Sequence, residues 1–291
     1  MFASQSSGIL GIFIFECPIF MERAFLTRSP KPAELSLLKK FLGSYRDGSG
    51  NNREDDGTAR ADSRQIERCF SELLHGRTTE NKSFYDFVVE SNESGGIAVR
   101  GASIKSKEVT KLLEYKQATK RDAMRAHLEL SNSSAKDWAL CRKFNLSEDD
   151  FREHKKAGEF GNVILLRQTH ERKIAEMSYM GAAGNTSKFF IPGDCVFVSV
   201  LYSPRVKHER SWLASSFPVQ LPAPAEWSFQ GSRIIGKDID GGVLYEWYAL
   251  SGSQFKYYPK LSDRLHGTEL FEIPSPAVES LRAKVSRLFG D

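Results

Sequence analysis

Two β-rich runs closed by a short polar turn constrain this chain more than any other feature. Phe84 to Ser91 and Ile97 to Lys105 are strand-like, and the Asn, Ser and Gly residues of 92–96 lie between them. Such runs around an Asn/Gly turn predict an antiparallel hairpin. With a turn at Asn92–Gly95, paired residue numbers sum to about 187, which sets Asp86 opposite Gly101 and one step from Ser103 along the same face. A single bulge would bring Asp86 and Ser103 level. Ser103 and Lys105 are two apart and share a face. The hairpin can thus gather a carboxylate, a hydroxyl and an ammonium.

Helical signals precede it. Residues 30–43 carry prolines at the start and leucines at helical spacing. A second helix opens near Asp62 or Ser63, buries Ile66, Phe70 and Leu73, and stops at His75-Gly76. Glu67 lies beside that stripe. Between the two helices, residues 44–61 are polar and glycine-rich and read as a mobile surface loop.

Downstream, a basic, helix-prone segment runs from about Lys107 to Leu130. Trp138 to His154 reads as helix and Val163 to His170 as strand. Cys195 to Tyr202 is apolar enough for the middle of a sheet. A proline- and tryptophan-rich connector spans Ser203 to Trp227. Strands follow at Val243–Leu250 and Phe255–Tyr258, with a closing helix from about Pro276. No repeat or clean boundary divides the chain. The expectation is one α/β domain over residues 21–291, a central mixed β-sheet flanked by helices, preceded by an extension at 1–20.

Composition excludes more than it selects. Hydrophobic residues are 40% and charged residues 27%, so disorder throughout is excluded. The net charge of +4 permits an acidic partner without demanding one. Cys17, Cys69, Cys141 and Cys195 lie far apart with no zinc spacing, as expected of reduced thiols in a cytoplasmic protein. Gly8 to Phe15 is apolar, but it lacks a basic leader and is too short to span a bilayer. There is no phosphate-binding GxxxxGK[ST], no GxGxxG after a strand, no HExxH and no GxSxG.

A carboxylate, a lysine and a second carboxylate from a neighbouring helix suit phosphodiester hydrolysis. Mg²⁺ takes oxygen ligands and keeps several waters, polarises a phosphate and acidifies a bound water. A lysine steadies the water and the charge growing on phosphate oxygens. The order helix with Glu67, strand with Asp86, turn, strand with Ser103-Ile104-Lys105 resembles the PD-(D/E)xK nuclease core of type II restriction endonucleases, over residues 62–130. The resemblance implies Mg²⁺ at Asp86 with Glu67, catalysis by Lys105, 5′-phosphate products and a homodimer on double-stranded DNA. Tyr85 stands where the family's motif has proline. Ser103 stands where the family usually has Asp or Glu, and Glu108 and Glu114 are candidates for the relocated carboxylate.

The resemblance also implies DNA contacts. Eight cations lie between Arg100 and Arg125, among them Lys107, Lys111, Lys116, Lys120 and Arg121. Asn132, Ser133 and Lys136 suit base-edge or phosphate contacts within recognition elements over 131–270, as does the stretch from Arg205 to Trp212. Two other readings remain open: a structure-specific repair or recombination nuclease, and a catalytically inactive DNA-binding module.

Overall fold

The computed structural model describes residues 22–78, 83–181, 187–206, 209–250, 252 and 254–290. The expected extension at 1–20 lies outside them. Helix α1 (Pro32–Ser44) starts on its proline and buries Leu38 and Leu42. A short ladder, β1 (Asn52–Arg53) with β2 (Ala59–Arg60), follows. The stretch expected as a polar loop thus holds a short ladder, and its acids are paired, Asp56 with Arg205 and Glu54 with Arg210. Helix α2 (Ser63–Leu74) begins at Asp62, whose carboxylate accepts from the Gln65 N–H at 2.8 Å while Gln65 Oε1 accepts from the Asp62 N–H. It ends at His75, which takes the left-handed conformation (φ 51°).

Strands β3 (Arg77–Thr78), β4 (Phe87–Glu93) and β5 (Gly96–Glu108) form an antiparallel meander. Past β5 the chain departs from the expected long helix. It makes one 3-10 turn at Leu112–Lys116, a six-residue helix α3 (Ala118–Ala123) and strand β6 (Leu128–Ser131). Helices α4 (Ser134–Lys143) and α5 (Glu148–Arg152) replace one continuous helix, with Asn145 (φ 56°) between them.

Helix α6 (Ala157–Gly181) overturns the expected strand at Val163–His170. Its buried positions Phe160, Ile164, Arg167, Gln168 and Ala175 recur at helical spacing. Polar members of that stripe hide it from a reading by apolar period alone. Strands β7 (Lys188–Phe190) and β8 (Val196–Tyr202) follow, β8 buried along its whole length as expected. The expected connector contains β9 (Ser211–Pro218), whose buried serines disguise a core strand, and the start of β10 (Glu226–Gln230). Then come β11 (Arg233–Lys237), β12 (Val243–Tyr248), β13 (Gln254–Tyr257), β14 (His266–Gly267), β15 (Phe271–Glu272) and α7 (Leu281–Phe289).

Among the described residues these strands form a mixed eight-stranded sheet, ordered β14-β9-β8-β5-β4-β3, with β15 on β9 and β7 on β5. A five-stranded antiparallel sheet runs β10-β11-β12-β13-β6. The fold is α/β, a mixed sheet flanked by helices. Helices α1 and α2 cover the face of the large sheet that carries Phe87, Val89, Ala102 and Ile104. The opposite face, with Val88, Val99 and Phe197, packs with α4, α6 and the second sheet in one core.

One ionic centre ties that second layer together. Asp137 on α4 is fully buried, pairs with Arg167 of α6, and accepts from Trp247 Nε1 of β12 at 3.1 Å. Arg167 also reaches Glu171 at 3.0 Å. Truncating one partner of a buried pair strands the other's charge. Asp137→Ala is therefore expected to cost about 3–5 kcal/mol in urea unfolding. Lys136→Ala, which breaks the exposed Lys136–Glu171 pair, should cost under about 1 kcal/mol. Similar midpoints for the two variants would show that the buried pair holds nothing together.

Candidate active site

The hairpin turn is shorter than its sequence suggests. Glu93 pairs with Gly96, so the loop is Ser94-Gly95, and the register continues without a bulge to Phe87 opposite Ala102. Extended by one step, that register sets Asp86 level with Ser103, where the longer turn had placed it opposite Gly101. The Asp86 N–H still donates to the Ala102 carbonyl at 2.9 Å. Beyond that bond β4 is absent from the ladder, and the Ile104 N–H donates instead to Asp86 Oδ2 at 2.6 Å.

The same oxygen accepts from Ser103 Oγ at 3.1 Å and Lys105 Nζ at 3.2 Å. Three donors thus fix one carboxylate oxygen at the edge of β5. Tyr85 anchors the residue before it. Its O–H donates to Glu176 Oε1 of α6 at 2.9 Å, and its ring stacks on Phe190 at 5.6 Å. The ring also lies over Gly101, where a Cβ would come within 2.3 Å of it. Gly101 is therefore required by the close approach of Tyr85.

Glu67, on α2, joins the group from the layer that covers Ile104. It lines a cleft of about 300 Å³ with Lys105, Ser106, Lys107, His127, Glu129 and Asn132. Burial and the neighbouring Asp86 charge push its carboxyl up to about 7, against the pull of Lys105 and Arg64. His127 is held down to about 4 by burial and by Lys107 and Lys256, so it is neutral near pH 7. Its buried Nε2 has no hydrogen-bond partner among the described residues.

A second cleft, of about 400 Å³, opens on the other side of Lys105 and includes Ser103, Phe84, Phe197 and Lys136. Lys105 and Ile104–Ser103 therefore separate two hollows of different polarity.

The structure brings Asp86, Ser103, Lys105 and Glu67 together and disperses other expected residues. Glu114 sits in the 3-10 turn at Leu112–Lys116 and lines neither cleft. Glu108 ends β5 and binds Arg210 at 2.6 Å. Among the described residues no three His, Cys, Asp or Glu side chains converge on a point. Neither glutamate lines the cleft that holds Glu67 and Lys105; Glu129 does.

Of the expected DNA contacts, Lys107 and Asn132 line the polar cleft and Lys136 the other, where it binds Glu171 at 3.0 Å. Ser133 caps α4. Lys111, Lys116 and Lys120 are exposed on the 3-10 turn, its flank and α3, apart from both clefts. Arg121 is turned inward, with Nε donating to the Tyr115 carbonyl at 3.1 Å. Arg205 and Arg210 are engaged with acids of the loop between β1 and β2, and Trp212 is buried. Glu129 and His127 were hidden by the helical reading of their segment, although the alternation in Leu128-Glu129-Leu130-Ser131 is a strand signal.

Comparison with family models, curated proteins and solved structures returns no match.

The donor set is all oxygen and hard, two carboxylates and a hydroxyl with a lysine beside them, which fits Mg²⁺ held by one or two carboxylates and water. A cation between Asp86 and Glu67 would offset the burial and the Asp86 charge that raise the Glu67 carboxyl.

Without metal, the raised Glu67 carboxyl has a stability signature. The folded state holds the Glu67 proton more tightly than the unfolded chain does. Its contribution is therefore full below about 4.5 and is lost as pH rises through about 7. In EDTA, the wild-type melting temperature should fall across this window relative to that of Glu67→Gln. Parallel pH profiles for the two proteins would mean that Glu67 titrates as an ordinary surface acid.

Proposed function

We propose that this protein is a Mg²⁺-dependent endonuclease acting on double-stranded DNA. The observation that carries the reading is the convergence of Ser103 Oγ, the Ile104 N–H and Lys105 Nζ on Asp86 Oδ2, with Glu67 at hand. A structural hairpin needs no carboxylate tucked under its own lysine, since an Asp at a strand start is usually solvated or capping a turn.

Asp86 and Glu67 would hold the metal, which supplies an acidified water and polarises the phosphate. The chain does the rest. The Ile104 N–H and Ser103 hydroxyl fix the Asp86 rotamer, so the carboxylate is oriented before substrate arrives. Lys105 positions the attacking water and offsets negative charge on the non-bridging oxygens. Lys107 and Asn132, lining the same cleft, are placed to hold the flanking phosphates. Homodimerisation, 5′-phosphate products and a cytoplasmic setting belong to this reading; free, buried Cys69, Cys141 and Cys195 agree with the last. No helix among the described residues is long and apolar enough to cross a membrane.

The inactive-module reading draws on one observation, the serine at 103 where the resembled family has a carboxylate. Plasmid or phage DNA incubated with Mg²⁺ or EDTA decides between them. Discrete fragments that require Mg²⁺ are expected, with Asp86→Ala and Lys105→Ala each at least about 100-fold slower. A smear without bands indicates a structure-specific nuclease. Salt-sensitive binding without cleavage establishes the module, and undiminished cleavage by both variants removes the hairpin from the chemistry.

A further inference from the structure

The two clefts beside Lys105 differ in a way that plain phosphate binding does not require. One is mostly polar, with Glu67, Lys107, His127, Glu129 and Asn132 around Ile104. The other, of about 400 Å³, is mixed: Phe84, Leu130, Ile174, Ala175 and Phe197 line it beside Ser83, Ser103, Ser178, Lys136 and Glu171. Phe84 and Phe197 lie 5.7 Å apart between ring centroids, tilted at 53°. Ala175 and Phe197 are buried, so the floor is fixed by α6 and β8. The half-buried Phe84 ring gives a cleft of this volume an aromatic surface among convergent polar groups, which suits a planar ligand. Backbone phosphates are instead held by Lys, Arg, Ser, Asn and N–H groups.

We propose that this second cleft receives the base of an unstacked nucleotide whose phosphate lies against Lys105. The proposal rests on the nuclease reading and adds to it the state of the substrate. Lys105 lines both clefts, so a phosphate at its ammonium has the polar trough for the continuing backbone and the aromatic hollow within one nucleotide's reach. A base paired inside a duplex cannot enter a pocket; it must be extruded, or come from a single-stranded segment. The cost of unstacking is recovered by contact with an aromatic face, about 1–3 kcal/mol per base. The substrate is then a strand with one base turned out at the cutting site.

Saturation-transfer NMR on the full chain tests this with deoxyadenosine and deoxycytidine 5′-monophosphates, deoxyribose 5-phosphate and inorganic phosphate as probes. Base protons should receive more saturation than sugar protons. Ser178 is exposed on the rim, so Ser178→Trp fills the hollow without disturbing the core. It should weaken the nucleotides about tenfold, the worth of one lost base contact, and leave inorganic phosphate unchanged. Phe84→Leu, which keeps apolar volume and removes the ring, should weaken them in the same direction. Lys105→Ala should weaken nucleotides and inorganic phosphate alike. Nucleotides that bind no tighter than deoxyribose 5-phosphate, or equally well to Ser178→Trp, overturn the pocket while leaving Lys105-dependent cleavage standing. A protein that neither cleaves DNA nor binds phosphate through Lys105 overturns the nuclease reading, and this proposal with it.

Discussion

The site is built around the point where β4 parts from β5. An unpaired amide at that point would have to find water or another acceptor. The Asp86 carboxylate fills the vacancy, accepting from Ile104 where a backbone carbonyl would otherwise sit. A charged acceptor makes that bond stronger than an ordinary ladder bond. The carboxylate is thereby placed by the sheet itself and not by a flexible loop. Everything else about the site follows from the same parting. Because the edge of β5 is uncovered beyond Ala102, Glu67 from the helical layer can approach Lys105 from the other face.

The other side of β5 is closed in two stages. Its first residues pair in parallel with β7 and its last seven with β8. A strand held along one full edge and released along half of the other is rigid where Ser103 and Lys105 stand, yet leaves room beside them. Tyr85 completes the arrangement from the far layer, reaching Glu176 on α6. The position before Asp86 thus belongs to the core, and the position after Lys105 to the cleft.

The local part of this was legible in the sequence. Asp62, Gln65 and His75 bound α2 by capping chemistry that depends only on near neighbours, and Val196–Tyr202 could only be a central strand. What escaped depended on partners far along the chain. Arg167 and Gln168 look like surface residues until Asp137 and Ser131 are placed opposite them, so α6 was broken into a strand. Residues 107–130 carry helix formers, but β8 draws Ser106–Glu108 into the sheet. At the site, the order Glu67, Asp86, Lys105 was readable, and its register was off by two residues because Gly95 and Gly96 left the turn length open. The aromatic hollow could not be seen at all, since Phe84 and Phe197 are 113 positions apart and meet only through β5 and β8.

The two-residue loop at Ser94-Gly95 has a consequence for how the chain can fail. Side chains alternate along β5, so a one-residue slip of the hairpin would exchange its faces. Ser103 and Lys105 would be driven among the leucines and phenylalanines under α1 and α2, and Ala102 and Ile104 would look out into the clefts. An ammonium in that layer is unaffordable without a partner. The chain therefore has no stable way to be folded and mis-registered: the apolar pairing that makes the molecule cohere also vets the alignment of its chemistry. Molecules that pass into the native state arrive with Asp86, Ser103 and Lys105 already in step.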